Sequence, residues 1–460
     1  MDVHQILKME VNIVSREMIK PSSSTHNLKP YNLCLLDQLM PPTYVPIVLF
    51  YPVNNIPDPN FDISKTITQL KKSLSETLNL YYPYSGRTKH NLYTDDYFSG
   101  VLFLEARVKF PMSEFFERSK VDDLCYNQLL PFRPLCRENT FDVIPIAFQV
   151  NTFSCGGIAL GISLCHNNSD ATMLSNFLKS WAAFSNGDLE KVINPNLCDA
   201  AILFPQKTDN FLEKYTSMMD RLWFNEGDFT TRKFVFRTEA IETLKERAKT
   251  ERVPTPSRNF VVSCFIWKHA TEASWAVSGS PRPSLASHAV NIRPRMKESS
   301  LDGATGNLFW WAMAVFDPND GNVESASSTD VELSELVDKL KEAMDGFEED
   351  FICEVTKGNK EGSCEVLSQL ELMSSTEVEK PDVFAFSNWK GFFNEVDFGF
   401  GKPYSIGSVG KVGSACRNTV IMVDADRWGK GSVEAVITLE DKRMAFLECD
   451  SSFLAFASPI

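Results

Sequence analysis

At 460 residues the chain is too long for one ordinary hydrophobic core, and two domains of about 200 residues each are expected. Its composition, 43% apolar with 34 phenylalanines, is that of a folded globular protein, and no Pro/Gly/Ser tract reads as disordered. A formal charge of −14 argues against the basic footprint that nucleic acid or an anionic membrane demands, though a local patch for an anionic small ligand remains compatible with it.

The segment Met1 to Glu10 carries charge of both signs and no long apolar stretch, so no signal peptide is expected. No window of about eighteen apolar residues suggests a spanning helix. The eleven cysteines are scattered and never spaced C-x-x-C, which argues against a disulfide framework and against a zinc site. Reduced thiols in a cytoplasmic protein are the expectation. The N-glycosylation sequon Asn167-Asn168-Ser169 agrees, because a glycan there would block the turn that carries the chemistry below.

In chain order, residues 30–52 hold two apolar runs around Pro41-Pro42 and read as strand-rich. Over 62–80, Ile67, Leu70, Leu74 and Leu78 recur at helical spacing behind Asp62 or Ser64 as cap. Tyr82-Pro83-Tyr84-Ser85-Gly86-Arg87 is a turn, followed by strands at Val101–Ala106 and Val143–Val150. Cys155-Gly156-Gly157 turns into a strand at Ile158–Cys165. Asn167–Asp170 is a second turn, and Ala171–Phe184 a helix with Met173, Leu174, Phe177, Leu178 and Trp181 on one face.

Weak periodicity after residue 202 marks a crossover, which sets the domains at 1–205 and 231–460 with the connecting loop at 206–230. The second domain opens with a strand near Arg232–Phe236. Helices follow with Ile241, Leu244 and Ala248 on one face and then over Phe260–Ala270. Residues 276–283 and 317–330 are loop-like, Val331–Phe347 is a charged amphipathic helix, and a last short helix lies near Met444–Phe453. No internal repeat is visible. The fold class is α/β (α+β).

Of the six histidines, only His166 has an aspartate four residues on, Asp170. Such a pair arises by chance in roughly a quarter of chains of this composition, so context decides. His166 shares strand parity with Ile158, Leu160, Ile162 and Leu164, the side expected to face the interior. Ala159, Gly161, Ser163 and Cys165, on the other parity, are small and permit close approach of a backbone or ligand. A histidine at the end of an apolar strand, just before a turn, is held rigidly and stays reachable, as a general base must. A neutral imidazole suffices to take a hydroxyl proton as the oxygen attacks a thioester. Asp170 either orients the imidazole, pairs with a distant arginine, or caps the helix that starts after it; the structural roles are favoured. G-x-S-x-G and G-x-x-x-x-G-K-[S/T] segments are missing, and Asp397-Phe398-Gly399 has no H-R-D before it, so hydrolase, nucleotide and kinase readings lose their anchors.

Taken together, these segments resemble the BAHD acyltransferase family. Its H-x-x-x-D motif is matched by His166 to Asp170 and its D-F-G-W-G motif by Asp397-Phe398-Gly399-Phe400-Gly401. Leu36-Asp37-Gln38, Tyr82 to Arg87, Cys155-Gly156-Gly157, Ile266-Trp267-Lys268, Asn291-Ile292-Arg293 and Gly306-Asn307 follow the family order, so the resemblance spans nearly the whole chain.

The resemblance implies two chloramphenicol-acetyltransferase-like domains, each a mixed sheet with flanking helices, and a channel between them. Acyl-CoA as co-substrate and a small-molecule acceptor would meet at His166, with no bound cofactor and no metal. It also implies that Asp170 pairs with an arginine, for which Arg293 is the choice. Asp397, Phe398, Gly399 and Gly401 would be structural, Ser387 and Trp389 would sit near the reacting carbonyl with Ser387 donating to the oxyanion, and Asp37, Gly306 and Asn307 would lie along the channel. A monomer is expected.

Departures from the family pattern are Phe400 for tryptophan, a stretch from Trp389 to Asp397 one residue short with Lys390 in it, Asn167 for lysine and Ala171 for glycine. Ile19-Lys20-Pro21-Ser22 and Val45 to Pro52 are similar to the alkaloid O-acetyltransferase branch, which implies acetyl-CoA and an alkaloid alcohol. Phe384, Phe386, Phe392 and Phe393 suit either an apolar acceptor pocket or plain core packing. The alternatives are malonyl-CoA as donor, for which Lys402, Lys411 and Arg417 are the cations to consider, or a non-catalytic metabolite-binding homologue.

Overall fold

A computed structural model describes residues 10–24, 27–53, 61–120, 124–135, 142–207, 210–296, 301–319, 331–347, 381–408, 415–416 and 418–460. The chain divides into two compact units that interleave along the sequence. The first takes 1–216, 300–308 and 391–412, and the second takes 217–299, 309–390 and 413–460. Among the described residues no helix is long and apolar enough to cross a membrane.

The opening elements are β1 (Val11–Ile19), α1 (Leu35–Leu39), β2 (Tyr44–Tyr51), α2 (Ile63–Thr77), β3 (Val101–Val108), β4 (Ile146–Phe153), β5 (Ile158–Cys165) and α3 (Ala171–Asn186). They are followed by α4 (Asn210–Trp223), β6 (Phe229–Phe236), α5 (Thr238–Arg247), α6 (Arg258–Ser278), β7 (Ser284–Asn291), β8 (Phe309–Phe316), α7 (Leu333–Gly346) and β9 (Asp382–Asn388). The chain returns to the first unit for β10 (Ser405–Gly407) and closes with β11 (Asn418–Asp424), β12 (Val433–Glu440), α8 (Asp441–Leu447) and β13 (Ala457–Pro459).

In the first unit six strands run β1-β3-β4-β5-β2-β10, with only β3 and β4 parallel. Strand β5 is buried along its whole length because both faces are covered. Against one face packs α3, whose Phe177 and Trp181 meet Phe148 of β4 at 6.0 and 4.8 Å between ring centroids. Trp181, fully buried, donates its indole N–H to the Leu70 carbonyl of α2 at 3.0 Å. Burial of so large a side chain is worth about 2–3 kcal/mol only because that polar tip is satisfied. Over the other face runs the main chain near Leu129, so close that a Cβ on Gly161 would fall 1.8 Å from its carbonyl oxygen. Ser163 accepts the N–H of Phe132 on the same face. The small-residue parity of β5 therefore admits a backbone.

The second unit's strands run β8-β7-β9-β11-β12-β6-β13, with β7, β9 and β11 parallel to one another. Helix α6 covers this sheet, and Phe236, Phe265, Trp267, Phe384, Phe386 and Ile437 form its core. Phe384 and Phe386 are thus core residues and not pocket lining. The mixed α/β fold with two large sheets agrees with the expected fold class.

Three local expectations need correction. The first apolar run of 30–52 holds the short helix α1, whose start is organised by Cys34 and by Asp37, which accepts the Cys34 N–H at 2.9 Å. The stretch 206–230, read as loop, contains helix α4 and the start of β6. Tyr215, Met218 and Met219 lie buried along α4 at i, i+3, i+4, a short stripe that the surrounding polar residues mask in a sequence reading. Elsewhere Asp62, not Ser64, caps α2, accepting the Ser64 and Lys65 N–H groups. Of the loops at 276–283 and 317–330, the first begins inside α6, which runs to Ser278, and residues 320–330 lie outside the described residues.

Candidate active site

His166 lies one residue beyond the end of β5 and opens a 3-10 turn, His166–Asn168. Its N–H donates to the Thr43 carbonyl at 3.0 Å, which continues the β5–β2 pairing into the turn. From Gly157 to Asp170 every residue is buried except His166, which is partly exposed. A network of side chains holds the turn from below. Asn167 Nδ2 donates to Asn91 Oδ1 at 3.0 Å, and Asn91 Nδ2 donates to the Gln38 carbonyl at 2.8 Å. Asn168 Nδ2 donates to Asn167 Oδ1 at 2.7 Å, and Tyr84 donates its hydroxyl to Ser169 Oγ at 2.7 Å. Fully satisfied buried networks of this kind are rigid.

Asp170 is the N-cap of α3. Its Oδ1 accepts the Met173 N–H at 2.9 Å, and its Oδ2 accepts the Leu308 N–H at 3.1 Å. The residue before Leu308 reaches the histidine itself. Asn307 Oδ1 is 3.1 Å from His166 Nδ1, and Asn307 Nδ2 donates to the His166 carbonyl at 2.7 Å. Behind it, Asp37 Oδ1 accepts both the backbone N–H of Asn307 at 2.7 Å and its Nδ2–H at 2.8 Å. Asp37 and Asn307 have no exposed surface. Gly306, at φ +93°, turns the backbone toward Asp37 in the left-handed region that favours glycine.

Burial holds the His166 imidazole below its usual 6.5, while its own carbonyl, Asp170, the Asn307 side chain and Asp37 push the other way. The ring is therefore neutral at neutral pH, as a proton acceptor must be. Burial likewise raises Asp37 above the ordinary carboxylate range, opposed by the hydrogen bonds from Cys34 and Asn307.

The D-F-G-F-G stretch is anchored within the first unit. Asp397 Oδ1 accepts the N–H groups of Gly399 and Gly401 at 2.8 and 2.9 Å, and Asn186 donates to the Asp397 carbonyl at 2.7 Å. Phe398 packs edge-on to Trp181 at 4.9 Å, and Phe400 packs edge-on to Tyr51 at 4.9 Å. Phenylalanine makes this contact at the position where the family motif has tryptophan.

Ser387 and Trp389 belong to the second unit, at the end of β9, where the Trp389 indole N–H donates to Ser387 Oγ at 3.1 Å. Arg293, also in the second unit, is buried in the turn after β7, and its N–H donates to Asn291 Oδ1 at 3.1 Å. Lys402 is ion-paired with Glu395, whereas Lys411 and Arg417 lie outside the described residues. Among the described residues His269, Glu272 and Asp450 gather ligand-type atoms, but Lys268 Nζ sits 2.6 Å from Glu272 Oε1, so an ammonium already meets this carboxylate.

The motif order extends into the whole chain. A model of the Transferase family matches residues 9–454. The chain belongs to this family, the BAHD acyltransferases. Limonoid 7-O-acetyltransferase from Citrus sinensis is 35% identical over 98% of this chain and 98% of its own. Akuammiline synthase 2 from Alstonia scholaris is 33% identical over 98% of this chain and 97% of its own. The crystal structure of vinorine synthase superposes with a TM-score of 0.76 at 28% identity, covering 97% of this chain and 98% of that one. As a BAHD member the chain is an acyltransferase.

Sequence reasoning singled out His166 and Asp170, but it assigned Asn307 and Asp37 to a channel and missed their contact with the histidine and with each other. No spacing signal exists for a pair 141 residues apart.

Proposed function

We propose that this BAHD member transfers an acetyl group from acetyl-CoA to a hydroxyl of a bulky polycyclic metabolite, with His166 as general base. The observation that carries the reading is His166 itself, the one partly exposed residue in the buried run from Gly157 to Asp170. In the reaction the acceptor hydroxyl gives its proton to Nε2 of His166 as its oxygen bonds to the thioester carbonyl carbon. The C–S bond then breaks, and the imidazolium returns the proton to the departing thiolate, leaving ester and free coenzyme A.

Acetyl is favoured over malonyl because the relatives are named as acetyltransferases and because Lys402 already has a carboxylate partner. The acceptor class follows the alkaloid and limonoid acetyltransferases among the relatives. The test is thiol release from acetyl-CoA and malonyl-CoA against panels of alkaloid and limonoid alcohols, with products identified by mass. Ester formation by the wild type that is lost in His166→Ala supports the reading, and undiminished turnover in that variant sinks it.

A further inference from the structure

The orientation of the Asn307 amide is dictated by its neighbours. Its Nδ2 stands 2.8 Å from Asp37 Oδ1 and 2.7 Å from the His166 carbonyl oxygen, both of which accept hydrogen bonds. The amide oxygen is therefore the atom 3.1 Å from His166 Nδ1, and an amide oxygen cannot donate. Nδ1 must carry the proton of that contact. A neutral imidazole with Nδ1–H has its lone pair on Nε2, although free histidine in water prefers the opposite tautomer.

We infer that Asp37, acting through Asn307, is a positioning residue that fixes His166 as the Nδ1–H tautomer and so presents Nε2 as the base. This rests on the general-base reading of His166. Asp37 is suited to the task because its carboxylate ties the start of α1 to the Asn307 segment. Oδ2 accepts the Cys34 N–H, Oδ1 accepts two N–H groups of Asn307, and the carboxylate is wholly buried. The left-handed Gly306 and the Asp170–Leu308 hydrogen bond hold the backbone on either side of Asn307. Among the described residues Asp170 and Asp37 are charged groups that act on the imidazole, and the His166 main chain acts on it in the same direction.

The test is long-range nitrogen–proton NMR on protein labelled in the histidine rings, with His166→Ala to assign the signal. The expected wild-type pattern is protonated Nδ1 and bare Nε2. Asn307→Ala and the isosteric Asp37→Asn should both shift the ring toward Nε2–H, and should lower kcat about 10- to 100-fold with KM for acetyl-CoA unchanged. A merely structural role would lower the melting temperature without moving the tautomer. An Nε2–H ring in the wild type overturns the inference even if a variant fails to fold, as does an unchanged tautomer and kcat in a folded variant. Should His166→Ala stay active, the general-base reading fails while the spectrum still reports the tautomer, so the two failures are told apart.

Discussion

Asp170 takes the N–H of Leu308 at 3.1 Å with the carboxylate oxygen that its own helix does not use. The second member of the H-x-x-x-D motif is thereby a clasp. It caps α3 and secures the segment that carries Asn307 to His166. Asp170→Asn leaves one of those two N–H groups facing an amide NH2, and about 1–3 kcal/mol of stability should be lost. Urea unfolding and kcat measured together check this. Lost activity at undiminished stability would instead favour direct orientation of the imidazole by Asp170.

The pH profile follows from the desolvation of His166. A pKa lowered in the folded protein means that the neutral, proton-accepting form persists to lower pH. The acidic limb of kcat/KM should therefore have its midpoint below 6.5. A midpoint above that value would show that the carboxylates outweigh burial.

Gly161 and Gly187 form a matched pair of probes. A methyl group at 161 would run into the Leu129 carbonyl, whereas at 187, with φ +71° but nothing within 4 Å, it meets only backbone strain. Gly161→Ala should cost about 3 kcal/mol or more and Gly187→Ala about 1 kcal/mol, read as melting-temperature shifts. Equal shifts would contradict the close approach over β5.

Acid should weaken the second unit through His288. This buried ring, stacked on Phe386, has its pKa pushed down to about 4 by burial. The unfolded chain binds a proton from about pH 6.5 downward while the folded chain does not, so stability falls as pH drops through that window. The loss is about 1.5 kcal/mol between pH 6.5 and 5. Urea titrations at both pH values should show it in the wild type and a smaller difference in His288→Gln.

Much of the site was legible because its logic is local. The strand, turn and helix around His166 span a few residues each, and Asp170 capping the helix that follows it is a near-neighbour contact. The D-F-G-F-G turn is equally local, with Asp397 bonding residues two and four ahead. Asn307 and Asp37 were visible as motif residues but not as partners, since their meeting depends on the whole fold. Helix α1 was read as strand because five apolar-rich residues have no measurable period, and only the Asp37–Cys34 contact decides it. Helix α4 was missed for a similar reason, its buried stripe being short.

The interleaving of the two units has a consequence for synthesis. The ribosome delivers His166 early, but the unit that holds it needs residues 300–308 and 391–412 to be complete. Until Asn307 has emerged the histidine has no partner from that segment, and until Ser405–Gly407 has emerged β2 lacks its outer neighbour. A nascent chain halted at residue 216 thus carries both motif residues, His166 and Asp170, but neither the Asn307 side chain that meets the first nor the Leu308 N–H that the second accepts. Activity should appear late, when nearly the whole polypeptide is out, and splitting the gene at the apparent domain boundary should yield an amino-terminal half that is catalytically silent.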